Sequence, residues 1–149
     1  QPLIFAPTYC ICPDNHPFAV QESVSLSDIA RQPVILLDRP AARLHYMELL
    51  EQSGQPFRIV ATANSTEMVR SLVASGLGVA LLNMRPRQVL PYAGKPVHTL
   101  PITGSHSGVA LSLGYSPGPQ RQIVQKFLQS CTAYFVGAAS EGLTVAEAE

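Results

Sequence analysis

The sequence predicts an α/β domain, because two patterns alternate along the chain. Four short and almost continuously apolar runs have the length of buried strands: residues 8–12, 33–37, 57–63 and 78–82. Segments with the apolar spacing of helices lie between them. Continuous rather than alternating apolar runs favour strands that are covered on both faces. Short strands that alternate with helices are typical of a mostly parallel sheet flanked by helices.

The ends of the first two helices are marked by specific residues. Ser25 stands before a short helix, and Asp28 follows three residues later, as in a capping box. Pro40 lies in the first turn of a longer helix, where its missing N–H has no cost. Gly54 follows the last apolar residues of that helix and predicts its end.

The third helix is predicted between two of the strands, over the segment NSTEMVRSLVASG. Asn64 is the expected N-cap, with Glu67 at the third helical position. An apolar stripe that ends at Leu77 would face the sheet. Gly76 supplies the left-handed residue at which such helices end.

The second half of the chain has a different character. Residues 83–96 are rich in proline, and residues 97–102 and 108–115 have the pattern of two further strands. A closing helix is predicted from the apolar residues that share one face: Ile123, Val124, Phe127, Leu128, Cys131, Tyr134 and Phe135. Residues 138–149 are small and polar, so we expect a flexible tail.

Composition argues against nucleic-acid-binding and membrane-spanning chains. Ten basic residues balance ten acidic ones, whereas a nucleic-acid-binding domain usually has a clear basic excess. No stretch approaches the roughly 18 continuous apolar residues of a membrane span. The chain also begins without the apolar segment of a secretory signal. We therefore expect a cytoplasmic protein without a membrane partner.

Catalytic and metal-binding patterns are not found. The segment ASGLG departs from the G-x-S-x-G pattern by one place and ends a helix, so it does not resemble a phosphate loop either. The carboxylates are scattered, and the four histidines lack metal-ligand spacing. Cys10, Cys12 and Cys131 fit structural roles in apolar surroundings. We therefore expect no enzyme activity, no cofactor and no metal.

Small polar residues follow the strand at 57–63 and predict a binding site: Thr62, Asn64, Ser65 and Thr66. Ligands of open α/β sheets bind outside the carboxyl ends of the strands. A helix N-terminus also offers free N–H groups and a partial positive charge, which suit an anion. The alternative is that Asn64 only caps the helix and that the hydroxyl groups face water.

A second candidate junction follows the strand at 33–37. Arg39 and Arg43 flank the start of the Pro40 helix, and His45 follows. Arginine at such a place can hold a carboxylate with two hydrogen bonds. The alternative is a solvated helix face on which Arg43 pairs with Glu48 or Glu51.

Two long segments resemble a known family. Residues 5–40, FAPTYCICPDNHPFAVQESVSLSDIARQPVILLDRP, and residues 59–86, IVATANSTEMVRSLVASGLGVALLNMRP, are similar to the effector-binding domain of LysR-type transcriptional regulators. The His-Pro turn, the VSLSDIA segment before ILLD, and the VRSLVASGLGVALL unit are distinctive in their order and spacing. The resemblance covers roughly residues 3–135.

The resemblance implies a two-lobed sensor with the fold of type II periplasmic binding proteins, of which one lobe is complete and the other partial. Residues 1–8 would cross from the missing part of lobe I, and residues 9–83 would form lobe II. Residues 84–137 would contain the return crossing and the C-terminal part of lobe I. Residues 138–149 would be the tail.

For function, the resemblance implies sensing rather than catalysis. A small and anionic metabolite would bind between the lobes and control DNA binding and transcription. DNA would be bound through a domain absent from this chain, and the regulator would be a homodimer or homotetramer. The alternatives are a solute-binding protein of a transport system, which shares the fold, and a dehydratase-like enzyme, whose catalytic threonine motif is absent from the sequence.

The resemblance also assigns the effector contacts to the junctions that face the cleft. The matching positions in this sequence are Thr62, Asn64, Ser65 and Thr66, and more loosely Arg39, Arg43 and His45. Ala41 and Ala42 stand where similar sequences often have a hydroxyl residue. We therefore expect fewer side-chain contacts from that loop.

Overall fold

Strands and helices alternate along the described chain, which in this computed structural model comprises residues 1–104, 106–137, 140–146 and 148. Its strands are β1 (Pro2–Ala6), β2 (Tyr9–Pro13), β3 (Pro33–Leu37), β4 (Arg58–Ala63), β5 (Val79–Leu82), β6 (Val97–Pro101) and β7 (Val109–Ser112). Its helices are α1 (Leu26–Ala30), α2 (Pro40–Gln52), α3 (Thr66–Ala74) and α4 (Gln122–Val136), with a short 3-10 helix at Pro17–Val20.

Five of the strands form one sheet in the order β4-β3-β5-β2-β6. β3 runs parallel to β4 and β5, whereas β2 runs antiparallel to β5 and β6. The α/β class is therefore confirmed, but this sheet is mixed rather than mostly parallel. Every residue of β2 is buried. A central antiparallel strand thus has the same continuous apolar pattern as a parallel one, and the sequence could not distinguish them.

The core lies where α2 and α3 pack on this sheet. α3 buries Val69 and Val73, and α2 buries Leu49 and Leu50. Leu77, which the pattern adds to the apolar stripe of α3, is 45% exposed. The helix ends before it, because Gly76 adopts a φ of 83° and turns the chain.

The helix caps agree with the sequence in one case and differ in another. Ser25 caps α1, since its hydroxyl accepts a hydrogen bond from the Asp28 N–H at 3.1 Å. The N-cap of α3 is Ser65 and not Asn64. The Ser65 hydroxyl faces the Met68 N–H at 3.4 Å, whereas the Glu67 carboxylate binds other groups. The prediction for Asn64 was therefore wrong.

The two remaining strands form a separate small sheet. β1 pairs with β7 in antiparallel orientation, and α4 packs against β1. Residues 2–6 are thus a strand, which the sequence analysis did not predict. β6 was expected in the return to lobe I, yet it pairs with β2 in the large sheet. The division of the chain into lobes and crossings stays a prediction.

The closing helix packs beside the small sheet, and the tail contacts the segment after β5. α4 forms as predicted, but no residue along it is fully buried, and Ile123 and Phe127 are 65% and 58% exposed. Of the predicted flexible tail, residues 138, 139, 147 and 149 lie outside the described residues. In the described part, the Leu143 carbonyl accepts a hydrogen bond from the Arg85 N–H at 2.6 Å.

Candidate functional site

A cavity of about 350 Å³, called the cleft below, lies at the edge of the large sheet where β3 and β5 end. Its lining residues are Leu37, Arg39, Ala41, Ala42, Tyr46, Thr66, Leu82, Asn83, Met84 and Val109. Val109 belongs to β7, so the small sheet contributes one wall. Parallel β3, β4 and β5 all end at this edge, where ligands of α/β folds bind.

Two of the six predicted contact residues line the cleft, namely Arg39 and Thr66. Thr62, at the end of the edge strand β4, and Asn64 are exposed outside that lining. Ser65 uses its hydroxyl to cap α3. Which of these side chains touch a ligand stays a prediction.

Arg43 lies outside the lining and has a partner on the strand side of the helix. Its Nη1 is 3.1 Å from Oδ1 of Asp38, with both side chains about half exposed. Arg43 therefore pairs with Asp38, and not with Glu48 or Glu51 as the alternative from the sequence had it. An exposed pair of this kind contributes little stability, roughly 0–1 kcal/mol.

The N-terminus of α2 is open toward the cleft. Its N-cap residue, Arg39, makes no capping hydrogen bond with its side chain, and Pro40 has no N–H group. The N–H groups of Ala41 and Ala42 belong to the first turn and have no partner within the helix. Both side chains are methyl groups that line the cleft, so neither offers a polar group to cover these amides. Fewer side-chain contacts from this loop stay a prediction.

The floor of the cleft is a buried hydrogen-bonded cluster around Asn83. The Tyr46 hydroxyl donates to Asn83 Oδ1 at 2.7 Å. Asn83 Nδ2 donates to the Ala6 carbonyl at 3.0 Å and to Thr8 Oγ1 at 2.9 Å. Both N–H groups of the amide are thus used, and its oxygen accepts. Burial, and in second place Tyr9, raise the pKa of Tyr46, which keeps its hydroxyl a neutral donor.

Thr8 joins this cluster to two other parts of the chain. Its hydroxyl donates to the Ser107 carbonyl at 3.1 Å and lies 3.0 Å from Nε2 of His45. Since the single hydroxyl proton is used on Ser107, His45 must donate from Nε2. Burial lowers the pKa of His45; Glu48 opposes this shift and His106 adds to it. A neutral His45 with its proton on Nε2 satisfies this arrangement.

A buried arginine holds the segment that follows Asn83. Arg70 on α3 is 4% exposed and donates to Oε2 of Glu67 at 2.7 Å. It also donates to the carbonyls of Gln88 and Val89 at 2.8 and 2.6 Å. The other oxygen of Glu67 accepts from the Tyr92 N–H at 2.6 Å. Glu67, predicted to cap its own helix, instead fastens a loop to it.

Several residues of the cleft and of the cluster beneath it were not predicted from the sequence as site residues. Tyr46 and Asn83 could have been identified from the sequence. Asn83 directly follows the buried run GVALL, and a polar residue at such a place needs a buried partner, here Tyr46. Thr8 precedes a buried strand in the same way. Val109 gave no signal, because its strand reaches the cleft only through pairing with β1, about a hundred residues earlier.

The cysteines do not form a reactive group. Cys10 and Cys12 are buried in β2, and burial raises the pKa of both thiols, that of Cys12 to about 11 with a further contribution from Asp14. Cys131 is half-buried on α4. Among the described residues, no three His, Cys, Asp or Glu side chains are placed to hold a metal ion. Within the same residues, no helix is long and apolar enough to cross a membrane.

Comparison with known families agrees with this architecture. Residues 1–136 match the family model described as the LysR substrate binding domain. The chain belongs to this family. It is 29% identical over 123 residues to a hydrogen peroxide-inducible genes activator of Pectobacterium carotovorum, which covers 82% of this chain and 36% of the relative. The chain spans between 24% and 36% of the curated relatives that it matches, and these are transcriptional regulators rather than enzymes.

Solved structures of the family have the same fold. HinK, a LysR family transcriptional regulator from Pseudomonas aeruginosa, superposes with a TM-score of 0.79 at 29% identity, over 91% of this chain and 47% of that one. The effector-binding domain of QuiR, solved in complex with shikimate, has a TM-score of 0.69 at 18% identity, over 91% of this chain and 64% of that one. At this identity the second likeness concerns the fold alone. The predicted type II periplasmic-binding-protein-like fold is confirmed.

Proposed function

We propose that the cleft of this LysR-family effector-binding domain binds a small organic anion. The supporting observation is that Arg39 and the first-turn residues Ala41 and Ala42 of α2 line the same cleft, while no side chain caps this helix. Helix N-termini attract anions because the N–H groups are unpaired and the helix dipole is positive there. A carboxylate would bind at this end and accept from both kinds of donor.

The remaining lining defines the rest of the ligand. Thr66 offers one hydroxyl group, whereas Leu82, Met84 and Val109 are apolar. Tyr46 and Asn83 already use their polar groups on each other. The volume of about 350 Å³ is at the small end of the range for ligand pockets. The proposed ligand is therefore a compact carboxylate with a partly apolar body.

Regulation would follow from the position of the cleft between the two sheets. A ligand that contacts Ala42 on one side and Val109 on the other has contacts with both, so its binding favours one relative arrangement. In the proposed cytoplasmic regulator, a homodimer or homotetramer, this change would reach DNA through a domain outside this chain. Membership of the family favours this role over that of a transport solute-binding protein.

Peroxide sensing through Cys10 or Cys12, suggested by the name of one relative, is not proposed for this chain. Thiol oxidation proceeds through the exposed thiolate. Cys10 and Cys12 are buried, and their raised pKa values keep them protonated near neutral pH.

The test is calorimetric titration with pairs of ligands that differ only in charge, such as benzoate and benzamide, together with shikimate and other small carboxylates. We expect carboxylates to bind and the matched amides to fail. Arg39→Met should weaken carboxylate binding about tenfold or more, because a charge-assisted hydrogen bond is lost. The matched variant Arg43→Met should change it little, since Asp38 already pairs with Arg43.

Three results would contradict the proposal. In the first, amides bind as well as carboxylates. In the second, Arg39→Met and Arg43→Met have the same effect on binding. In the third, Thr62→Ala and Asn64→Ala weaken binding while Arg39→Met does not, which would move the site to the exposed junction after β4.

A further inference from the structure

Two connections join the large sheet to the small one. The first crossing, residues 6–8, links β1 to β2, and the second crossing, described over residues 102–104 and 106–108, links β6 to β7. They lie in direct contact at Gly108, where an added Cβ would stand 2.6 Å from the Ala6 carbonyl oxygen. Any movement of one sheet relative to the other must therefore change the geometry between these two segments.

Thr8 holds the second crossing through its side chain and through its backbone. The Thr8 hydroxyl donates to the Ser107 carbonyl at 3.1 Å. The Thr8 carbonyl lies 3.1 Å from Nε2 of His106. Nδ1 of the same ring lies 3.0 Å from the Gly104 carbonyl. His106 thus contacts the first crossing with one ring nitrogen and its own crossing with the other.

Both partners of His106 are carbonyl oxygens, and a carbonyl oxygen can only accept a hydrogen bond. A neutral imidazole has one N–H and one lone pair, so one ring nitrogen would face the oxygen without a proton. The imidazolium form donates from both nitrogens. The observed geometry of His106 is therefore the geometry that a protonated ring satisfies completely.

We propose that His106 is a proton-operated clasp between the two crossings. In the protonated state it donates to Thr8 and Gly104 together and fastens the second crossing to the first. Loss of the proton breaks one of the two bonds and loosens the junction. The clasp itself does not require a ligand, whereas its effect on effector response rests on the function proposed above.

The other titratable groups at this junction favour His106 as the one that changes charge. His45 of α2 approaches the same Thr8 from the hydroxyl side, at 3.0 Å. Burial lowers the pKa of His45, Glu48 opposes this, and the charge of His106 lowers it further. A second positive charge is therefore disfavoured at this junction, and the proposal places the single charge on His106.

The consequence concerns the pH range over which the clasp closes and opens. A charge-assisted hydrogen bond between the crossings adds resistance to separation of the two sheets. Acidification across this range would hold the crossings together, and alkalinisation would ease their movement. An effector bound in the adjacent cleft would then act on a hinge whose stiffness depends on pH.

The protonation state can be read directly by NMR of the 149-residue chain with 15N-labelled histidine. At about pH 6 we expect protons on both ring nitrogens of His106, each in slow exchange with water because it is hydrogen-bonded. A His106 ring that keeps one bare nitrogen at every pH at which the chain stays folded would overturn the proposal.

Mechanical coupling is measured by amide hydrogen exchange in β1 and β7. For each amide, the exchange rate in His106→Gln is divided by the rate in the native chain at the same pH. This ratio cancels the intrinsic pH dependence of exchange. We expect this ratio to be near one at about pH 8 and to rise about tenfold at about pH 6, which corresponds to one charge-assisted hydrogen bond. The matched variant His98→Gln should give a ratio that does not change with pH.

A ratio for His106→Gln that is the same at both pH values would overturn the clasp, because a purely structural role of the ring has no pH dependence. Neither experiment uses an effector. Failure of the carboxylate titrations would therefore leave this result unaffected, and failure of the clasp would leave the proposed binding site in place.

Discussion

Asn83→Ala is the substitution that tests the buried cluster beneath the cleft. Asn83 is 6% exposed and makes hydrogen bonds with Tyr46, Ala6 and Thr8 at 2.7, 3.0 and 2.9 Å. Alanine removes these bonds and leaves the buried Ala6 carbonyl and Tyr46 hydroxyl without this partner. The two sheets also lose a direct link, since Ala6 ends β1 and Asn83 follows β5.

The magnitude follows from the bonds that are lost. A neutral intramolecular hydrogen bond contributes about 1 kcal/mol, and a buried group left unpaired costs more than the bond itself. Three bonds therefore predict a loss of about 3 kcal/mol or more in the free energy of unfolding. For a chain of this size, each kcal/mol lowers the midpoint of thermal unfolding by about 2–4 °C, so the expected decrease is about 10 °C.

Thermal and urea unfolding, followed by circular dichroism, measure this loss. Asn64→Ala is the matched control, because Asn64 is exposed and does not cap α3. Its expected effect is within about 0.5 kcal/mol. Tyr46→Phe, which removes one of the three bonds, should fall between the two. If Asn83→Ala costs no more than Asn64→Ala, then the cluster does not stabilise the junction and the reasoning is refuted.

Three further predictions concern single features of the fold. Ser65→Ala should destabilise the chain by about 1 kcal/mol in urea unfolding, because the α3 cap is lost. Gly78→Ala should disturb the pairing of β3 with β5 and lower the thermal midpoint strongly, since its Cβ would overlap the Pro33 carbonyl oxygen. Iodoacetamide at neutral pH should modify Cys131 before Cys12, whose raised pKa and burial suppress the thiolate.

Each of these has a control in the chain. Gly114→Ala introduces a methyl group with no atom within 4 Å and should leave the thermal midpoint nearly unchanged. A larger loss in Asn64→Ala than in Ser65→Ala would return the α3 cap to Asn64. Peptide mass spectrometry after iodoacetamide treatment would contradict the assigned burial if Cys10 or Cys12 were modified as fast as Cys131.

The local elements of this fold were readable from the sequence because their signals are local. Pro40 begins α2, and Gly76 ends the turn after α3, as predicted. The α3 cap was assigned to Asn64 because both Asn and Ser are good cap residues and they stand side by side. The decision depends on β4, which continues to Ala63 and places Asn64 in the bend before the cap.

Pairings between distant parts of the chain could not be read in the same way. The orientation of β2 and the position of β6 depend on which strands pair with each other. A buried strand has the same apolar pattern whichever strands it pairs with, so the sequence pattern does not reveal the pairing. The same limit applies to the candidate site. Arg39 and Thr66 were identified from their junctions, whereas Thr8 and Val109 reach the cleft region through tertiary contacts.

The central claim is that a small organic anion binds at the open N-terminus of α2. The most direct measurement is an NMR titration of the 15N-labelled chain with carboxylates and their matched amides. We predict that the amide resonances of Ala41 and Ala42 shift most, that they saturate together, and that the neutral amide of the same ligand leaves them in place. Saturation by a carboxylate with unchanged Ala41 and Ala42 resonances, or equal shifts with the neutral amide, would contradict the account.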